Sequence, residues 1–235
     1  MTYWVSIPLP RILPRITEWI QKNLSEKDLV LDDKKIFPAR MQNNPHITVL
    51  MNLPRAVDEG LVKLVSTFLS SSSSSGGERK EMKVSLGKIN AFPLQTKPSE
   101  QTKSASEQSE EKEGEEKKEY KYRVLYVEII DKDKSLLSLQ EAIGNYYATS
   151  FDTSEDGKVK IGEKVCWHHS EYNPHITLAF VNEGVAEKFI DSPLIPDDED
   201  DADKNREIII KEIKVGMFGD FDEKLYTPIH IRFSN

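Results

Sequence analysis

The sequence predicts an α+β protein built from two related halves, and three observations carry that prediction. Short runs of alternating or β-branched residues are interspersed with amphipathic helical stretches. Their order before a polar segment at about 96–118 resembles their order after it. One pentapeptide, Asn-Pro-His-Ile-Thr, stands once in each half, at 44–48 and at 173–177.

Taken in order, Thr2 to Ile7 is rich in β-branched and aromatic residues and stops at Pro8 and Pro10, which reads as a first strand. Pro14 suits the first turn of the helix that follows, and Ile16, Trp19, Ile20 and Leu24 recur along one stripe of it. A second helix is expected from Ala56 to Leu69, where Val57, Leu61, Leu64, Val65 and Phe68 repeat that spacing and Asp58 and Glu59 stand near its positive end. Ser70 to Gly77, six serines and two glycines, reads as a flexible join. Met82, Val84 and Leu86 then alternate with polar residues as a half-buried strand. From about 96 to 118 the chain is Ser, Gln, Glu and Lys, with too little apolar surface to offset its ordering entropy, which predicts a disordered insertion.

Order resumes with a strand at Tyr122 to Ile130 and a helix marked by Leu136, Leu139, Ile143 and Tyr146 that ends near Ser150. Asp152 to Lys164 is polar and contains the turn signal Asp156-Gly157. Pro174 to Val181 reads as a strand, Val185 to Ile190 as a short helix, and Glu207 to Val215 and Pro228 to Phe233 as strands, with an acidic solvated loop at about 196–206. The whole, 1–235, is expected to form a single domain.

Charge narrows the function. The tracts Lys97 to Glu119 and Asp197 to Glu207 carry −3 and −5, the whole of the formal charge of −8. The remaining chain is balanced and lacks the basic excess that drives binding to long nucleic acid, so a single ligand or the end of a strand suits it better. The lone Cys166 excludes an internal disulfide framework, which fits a reducing compartment, cytoplasmic or nuclear. No apolar run approaches the roughly 18 residues that would span a bilayer, and no export signal is evident at the N-terminus.

The repeated pentapeptide carries the chemistry. On a strand His46 and Thr48 share one face while Ile47 and Val49 share the other, and His175, Thr177, Ile176 and Leu178 repeat the arrangement. Proline before each His lacks a ladder donor and belongs at a strand's start or on an edge. If the two halves pack about a pseudo-twofold axis, both His-x-Thr pairs face one groove. Histidine titrates near neutrality, so two of them supply a general base and a general acid. The threonine hydroxyls can donate to anionic oxygens, a set suited to in-line displacement at a phosphodiester without a metal.

These paired motifs resemble the 2H phosphoesterase superfamily, which is named for two His-x-Thr/Ser motifs and includes 2′-5′ RNA ligase-like proteins and cyclic nucleotide phosphodiesterases. The resemblance implies a bilobal α+β fold of two pseudo-symmetric lobes, each with an antiparallel sheet and helices, around a central cleft. It also implies that His46 and His175 are acid and base, and that Thr48 and Thr177 bind phosphate.

Around the motifs, Trp167 and Tyr172 are candidates for stacking on a base, since such stacking contributes about 1 to 3 kcal/mol. Arg40 and Arg55 bracket the first motif as candidate phosphate contacts, and Phe218 is a candidate for the cleft rim. The neighbours His168 and His169 point to opposite faces if extended, and no metal-binding spacing is present, so neither a metal nor a cofactor is expected. The sequence therefore predicts a monomeric, metal-independent phosphodiesterase acting on a nucleotide, a short oligonucleotide or an RNA 3′ end. The competing reading is a non-catalytic module that holds an AMP-like nucleotide or RNA within a signalling or RNA-processing complex.

Overall fold

The computed structural model describes residues 3–32, 35–36, 45–53, 59–71, 82–98, 119–150, 159–161, 164–166, 172–196, 206–217 and 229–232. Along the chain run β1 (Tyr3–Pro8), α1 (Leu13–Asn23), β2 (Leu31–Asp32), β3 (Lys35–Ile36), β4 (His46–Leu53), α2 (Glu59–Ser71), β5 (Lys83–Ala91), β6 (Gln95–Pro98) and β7 (Glu119–Ile130). There follow α3 (Ser135–Ser150), β8 (Val159–Ile161), β9 (Lys164–Cys166), β10 (His175–Asn182), β11 (Glu207–Ile209), β12 (Glu212–Met217) and β13 (Ile229–Arg232).

The helices form where the apolar stripes place them. In α1, Pro14 occupies the first turn, Ile16 and Ile20 are buried and Trp19 lies partly buried against the core, as does Leu24 just past the helix end. Leu61 and Val65 do the same for α2. The start of α3 is fixed by Asp131, whose carboxylate accepts from the backbone N–H groups of Ser135, Leu136 and Leu137 at 3.0, 2.8 and 3.3 Å. One side chain thus satisfies three of the four donors that a helix start leaves without intrahelical partners. Each fully buried Leu or Ile behind it, such as Leu136, Leu139 and Ile143, contributes about 1.5 to 3 kcal/mol of transfer free energy.

The fold is α+β, with two larger antiparallel sheets. The first has the strand order β13-β12-β1-β4, and the second runs β10-β7-β5-β11, with β6 continuing along β7 beyond β5. Two small hairpins, β2-β3 and β8-β9, complete the described strands. The sheets do not divide where the insertion divides the sequence. β12 and β13 follow the insertion yet complete the sheet begun by β1 and β4, while β5 precedes it and lies beside β7. The helices cross over in the same way: α1 follows a strand of the first sheet and packs on β10, and α3 follows a strand of the second and packs on β4. One apolar cluster therefore runs through both sheets, from Val5, Ile7 and Ile47 to Leu125, Val127 and Ile176.

Some elements differ from the sequence reading. Glu207 to Val215 was expected as one strand, but it breaks at Ile210, whose N–H donates to the Met82 carbonyl at 3.0 Å, and its two parts join different sheets. A run of three isoleucines followed by an apolar alternation carries no mark of that handover. Gln95–Pro98 forms β6, so ordered strand reaches into the segment expected to be disordered from about 96, and 99–118 lie outside the described residues. The expected helix at 185–190 is a single 3-10 turn, Ala186–Lys188. The acidic loop lies outside the described residues from 197 to 205. No helix among the described residues is long and apolar enough to cross a membrane.

Candidate active site

Each motif strand is the terminal strand of its sheet, β4 in the first and β10 in the second, and the two lie beside one another. The sequence repeat is matched by a repeat of backbone detail. His46, Ile47 and Thr48 pair with Pro8, Ile7 and Ser6 on β1; His175, Ile176 and Thr177 pair with Glu128, Val127 and Tyr126 on β7. The motif proline, which has no N–H to give, offers its carbonyl instead: Pro45 accepts from Leu9 N at 2.8 Å and Pro174 from Ile129 N at 2.9 Å.

Directly after each threonine the register shifts by one residue, at Val49 and Leu50 in β4 and at Leu178 and Ala179 in β10. A bulge of this kind sends two consecutive side chains to one face, and all four of these residues are buried in the core. The apolar doublets Val-Leu and Leu-Ala were the sequence trace of the bulges.

Aromatic rings hold both imidazoles. The Trp4 indole meets the His46 ring edge-on, with centroids 4.5 Å apart and planes at 82°. His175 is met by Phe92 at 4.9 Å and 80° and by Tyr126 at 5.2 Å and 60°. Trp4 and Tyr126 reach these places because alternation puts Trp4 and Ser6 on the face of β1 away from Val5 and Ile7, and Tyr126 and Glu128 on the face of β7 away from Leu125 and Val127. Phe92 sits where β5 bends towards β6, and Arg123 fastens that bend: its Nε donates to the Phe92 carbonyl at 2.8 Å and one guanidinium N–H to the Ala91 carbonyl at 3.3 Å. Sequence reasoning missed all three rings, since each meets its histidine from a part of the chain distant in sequence: Trp4 on β1, Tyr126 on β7 and Phe92 in the bend after β5.

The environment of His175 also sets its protonation. Its Nδ1 lies 2.9 Å from the Asn173 carbonyl, which can only accept, so Nδ1 carries the hydrogen and Nε2 holds the lone pair. Burial pushes its pKa below the usual 6.5, although the Asn173 bond works in the other direction. Burial likewise pushes the Tyr126 phenol up.

Tyr172 joins the two motifs. Its ring packs against the core and its hydroxyl donates to the Thr48 carbonyl at 3.0 Å, so the residue three places before His175 is bonded to the other His-x-Thr. Burial, then the Asp131 carboxylate, hold this phenol in its protonated form. Of the remaining sequence candidates, Arg40, Arg55, Trp167 and Phe218 lie outside the described residues, as do His168 and His169. Among the described residues no group of three or more His, Cys, Asp or Glu is arranged to hold a metal ion.

Two antiparallel sheets, each ending in a strand that opens on His-x-Thr, define the class of the 2H phosphoesterases. Residues 21–201 match the family model described as cyclic phosphodiesterase-like protein, and the chain belongs to that family. Among curated proteins none matches the chain significantly.

Proposed function

We propose that the protein is a metal-independent phosphodiesterase that opens a 2′,3′-cyclic phosphate or cleaves a 2′-5′ or 3′-5′ linkage in a nucleotide or at an RNA end, with His175 as general base and His46 as general acid. The observation that carries this reading is the repeat of backbone detail around the two motifs: the same register, the same proline carbonyl bond and the same bulge flank two imidazoles, each met by an aromatic ring. Tyr172 supports their acting together, because it bonds one motif to the other.

The division of labour follows from His175. A ring kept neutral by burial, with Nδ1 committed to a carbonyl, has Nε2 free to take a proton. His175 takes that proton from the attacking water, or from a ribose hydroxyl in the transfer of a 2′-5′ or 3′-5′ linkage. The new P–O bond forms in line with the one that breaks, and His46 delivers a proton to the departing ribose oxygen. The hydroxyls of Thr48 and Thr177 donate to the non-bridging oxygens as charge builds on them.

The test is incubation with 2′,3′-cyclic nucleotides, 2′-5′-linked oligoadenylate and cyclic dinucleotides in the presence of a chelator, with products read by phosphorus NMR. Turnover of one substrate class with chelator present, lost in His46→Ala and in His175→Ala, is the expected result. Nucleotide affinity without any product would convert the protein into a binding module, and loss of turnover on chelation would make it a metal-dependent hydrolase.

A further inference from the structure

We infer that Arg123 is a positioning residue for the reaction: its guanidinium sets the Phe92 ring against His175 and so fixes how the general base is presented to the substrate. The inference rests on the phosphodiesterase reading above and adds to it a residue that touches neither histidine.

Phe92 comes from an irregular stretch. Ala91 is paired with Leu125 and Gln95 with Tyr122, so three residues, Phe92, Pro93 and Leu94, stand opposite two, Val124 and Arg123. An extra residue interrupts the ladder and bends the strand. Pro93 has no N–H with which to repair it, and Leu94 is exposed. A side chain therefore takes over the holding. Phe92 N donates to the Val124 carbonyl at 3.0 Å, Arg123 Nε donates to the Phe92 carbonyl at 2.8 Å, and Arg123 Nη2 reaches the Ala91 carbonyl at 3.3 Å.

The third arm of the fork fixes the guanidinium itself. Its Nη1 donates to Glu187 Oε1 at 2.8 Å, and this bond holds the Glu187 carboxyl below the usual carboxylate range. Glu187 stands on the 3-10 turn Ala186–Lys188, which follows β10. The strand that opens on His175 thus leads into the turn that holds Arg123, and Arg123 holds the bend whose ring meets His175. A guanidinium spreads its donors over a rigid plane, whereas a lysine ammonium is a compact point that cannot span a carboxylate and two successive carbonyls.

Held in this way, the Phe92 ring lies on Tyr126 at 4.5 Å and meets the imidazole at 4.9 Å. A displaced ring would admit water to the imidazole, and water favours its charged form. The titratable groups on the elements around His175 are Glu128 and Tyr126 on β7 and His46 on β4, while α1 packs against the apolar side of β10. Among the described residues Arg123 is hydrogen-bonded to none of these groups, so its hold on His175 runs through Phe92.

The test follows the histidine ring signals by NMR across pH, the His175 signal being the one lost in His175→Gln, with thermal melts to confirm that each variant is folded. The wild-type midpoint of His175 is expected below 6.5. It rises towards 6.5 in Phe92→Leu, in Arg123→Lys, which keeps the charge without the fork, and in Glu187→Ala, while the His46 signal titrates as before. A direct effect of charge gives another pattern: Arg123→Lys leaves the midpoint in place, and Glu187→Ala, which removes an anion, lowers it. Either result overturns the role of Arg123, as does an equal movement of His46, or a rise in Arg123→Lys that adds to that of Phe92→Leu in the double variant. With 2′,3′-cyclic nucleotides, kcat of Arg123→Lys is expected to fall severalfold with KM little changed, and an unchanged kcat overturns the role as well. Failure of the phosphodiesterase reading shows separately, as no turnover by wild type, and the midpoints then still decide whether Arg123 acts on His175 through the ring.

Discussion

Two histidines in identical pentapeptides are made different by what surrounds them. His175 has a carbonyl on Nδ1, a carboxylate as cross-strand partner and two rings at its edges; His46 has Pro8 across from it and the indole of Trp4. With His175 as the proposed base, whose active form is neutral and whose pKa burial lowers, activity is expected to fall as pH drops through a value below 6.5, and a profile of kcat/KM against pH should have its acidic midpoint there. A midpoint above 6.5 would reverse the assignment of base and acid. Replacing either histidine by alanine should lower kcat by about 10² to 10⁴-fold with the fold intact by circular dichroism. At this scale the sequence was legible in the placement of the repeat, since His46 and His175 each open a strand as the pattern predicts, while the roles of His46, Thr48, His175 and Thr177 are the proposal put to test. It was opaque at Trp4, Phe92 and Tyr126, whose relevance depends on register between strands distant along the chain. Tyr172 was legible as a neighbour of the site, but its bond to Thr48 was not.

Among the elements, those with a strong period were readable and those defined by a partner were not. α1 and α3 follow their apolar stripes, whereas the β8-β9 hairpin hides in a polar stretch and the break between β11 and β12 hides in an apolar one. Two expectations follow for single elements. Asp131→Ala removes the cap of α3 and should cost about 1 kcal/mol in denaturant unfolding. A normal unfolding midpoint for this variant would mean that water serves those N–H groups equally well. In the β6-β7 hairpin Pro98 and Glu119 are directly paired, so a two-residue turn can join them. Replacing 99–118 by Asn-Gly should leave the thermal midpoint and the turnover of cyclic nucleotides close to those of the full chain. A loss of turnover at unchanged Tm would instead assign the excised residues a part in the reaction.

For the molecule as a whole, the repeat announced a duplicated α+β protein, but the way the two sheets share the chain was not announced, because no local pattern records which sheet a strand will join. The crossing of α1 and α3 to the opposite sheets and the bond from Tyr172 to Thr48 make the relative position of the motif strands a property of the entire core. Tyr172→Phe should therefore cost about 1 kcal/mol of stability and, at a temperature where the variant is fully folded, reduce kcat/KM severalfold with KM less affected than kcat. An unchanged kcat would show that the core alone holds the two motifs in place.

The pairing of β1 with β12 bears on how the protein is made. During synthesis β1 can find β4 well before β12 exists, so its other edge stays open until the strands beyond the second motif have been made. The second sheet, by contrast, has β5, β7 and β10 in hand well before then. Completion of the first sheet thus waits on β12, and until then β1 offers an open edge that a chaperone or a neighbouring nascent chain can find first.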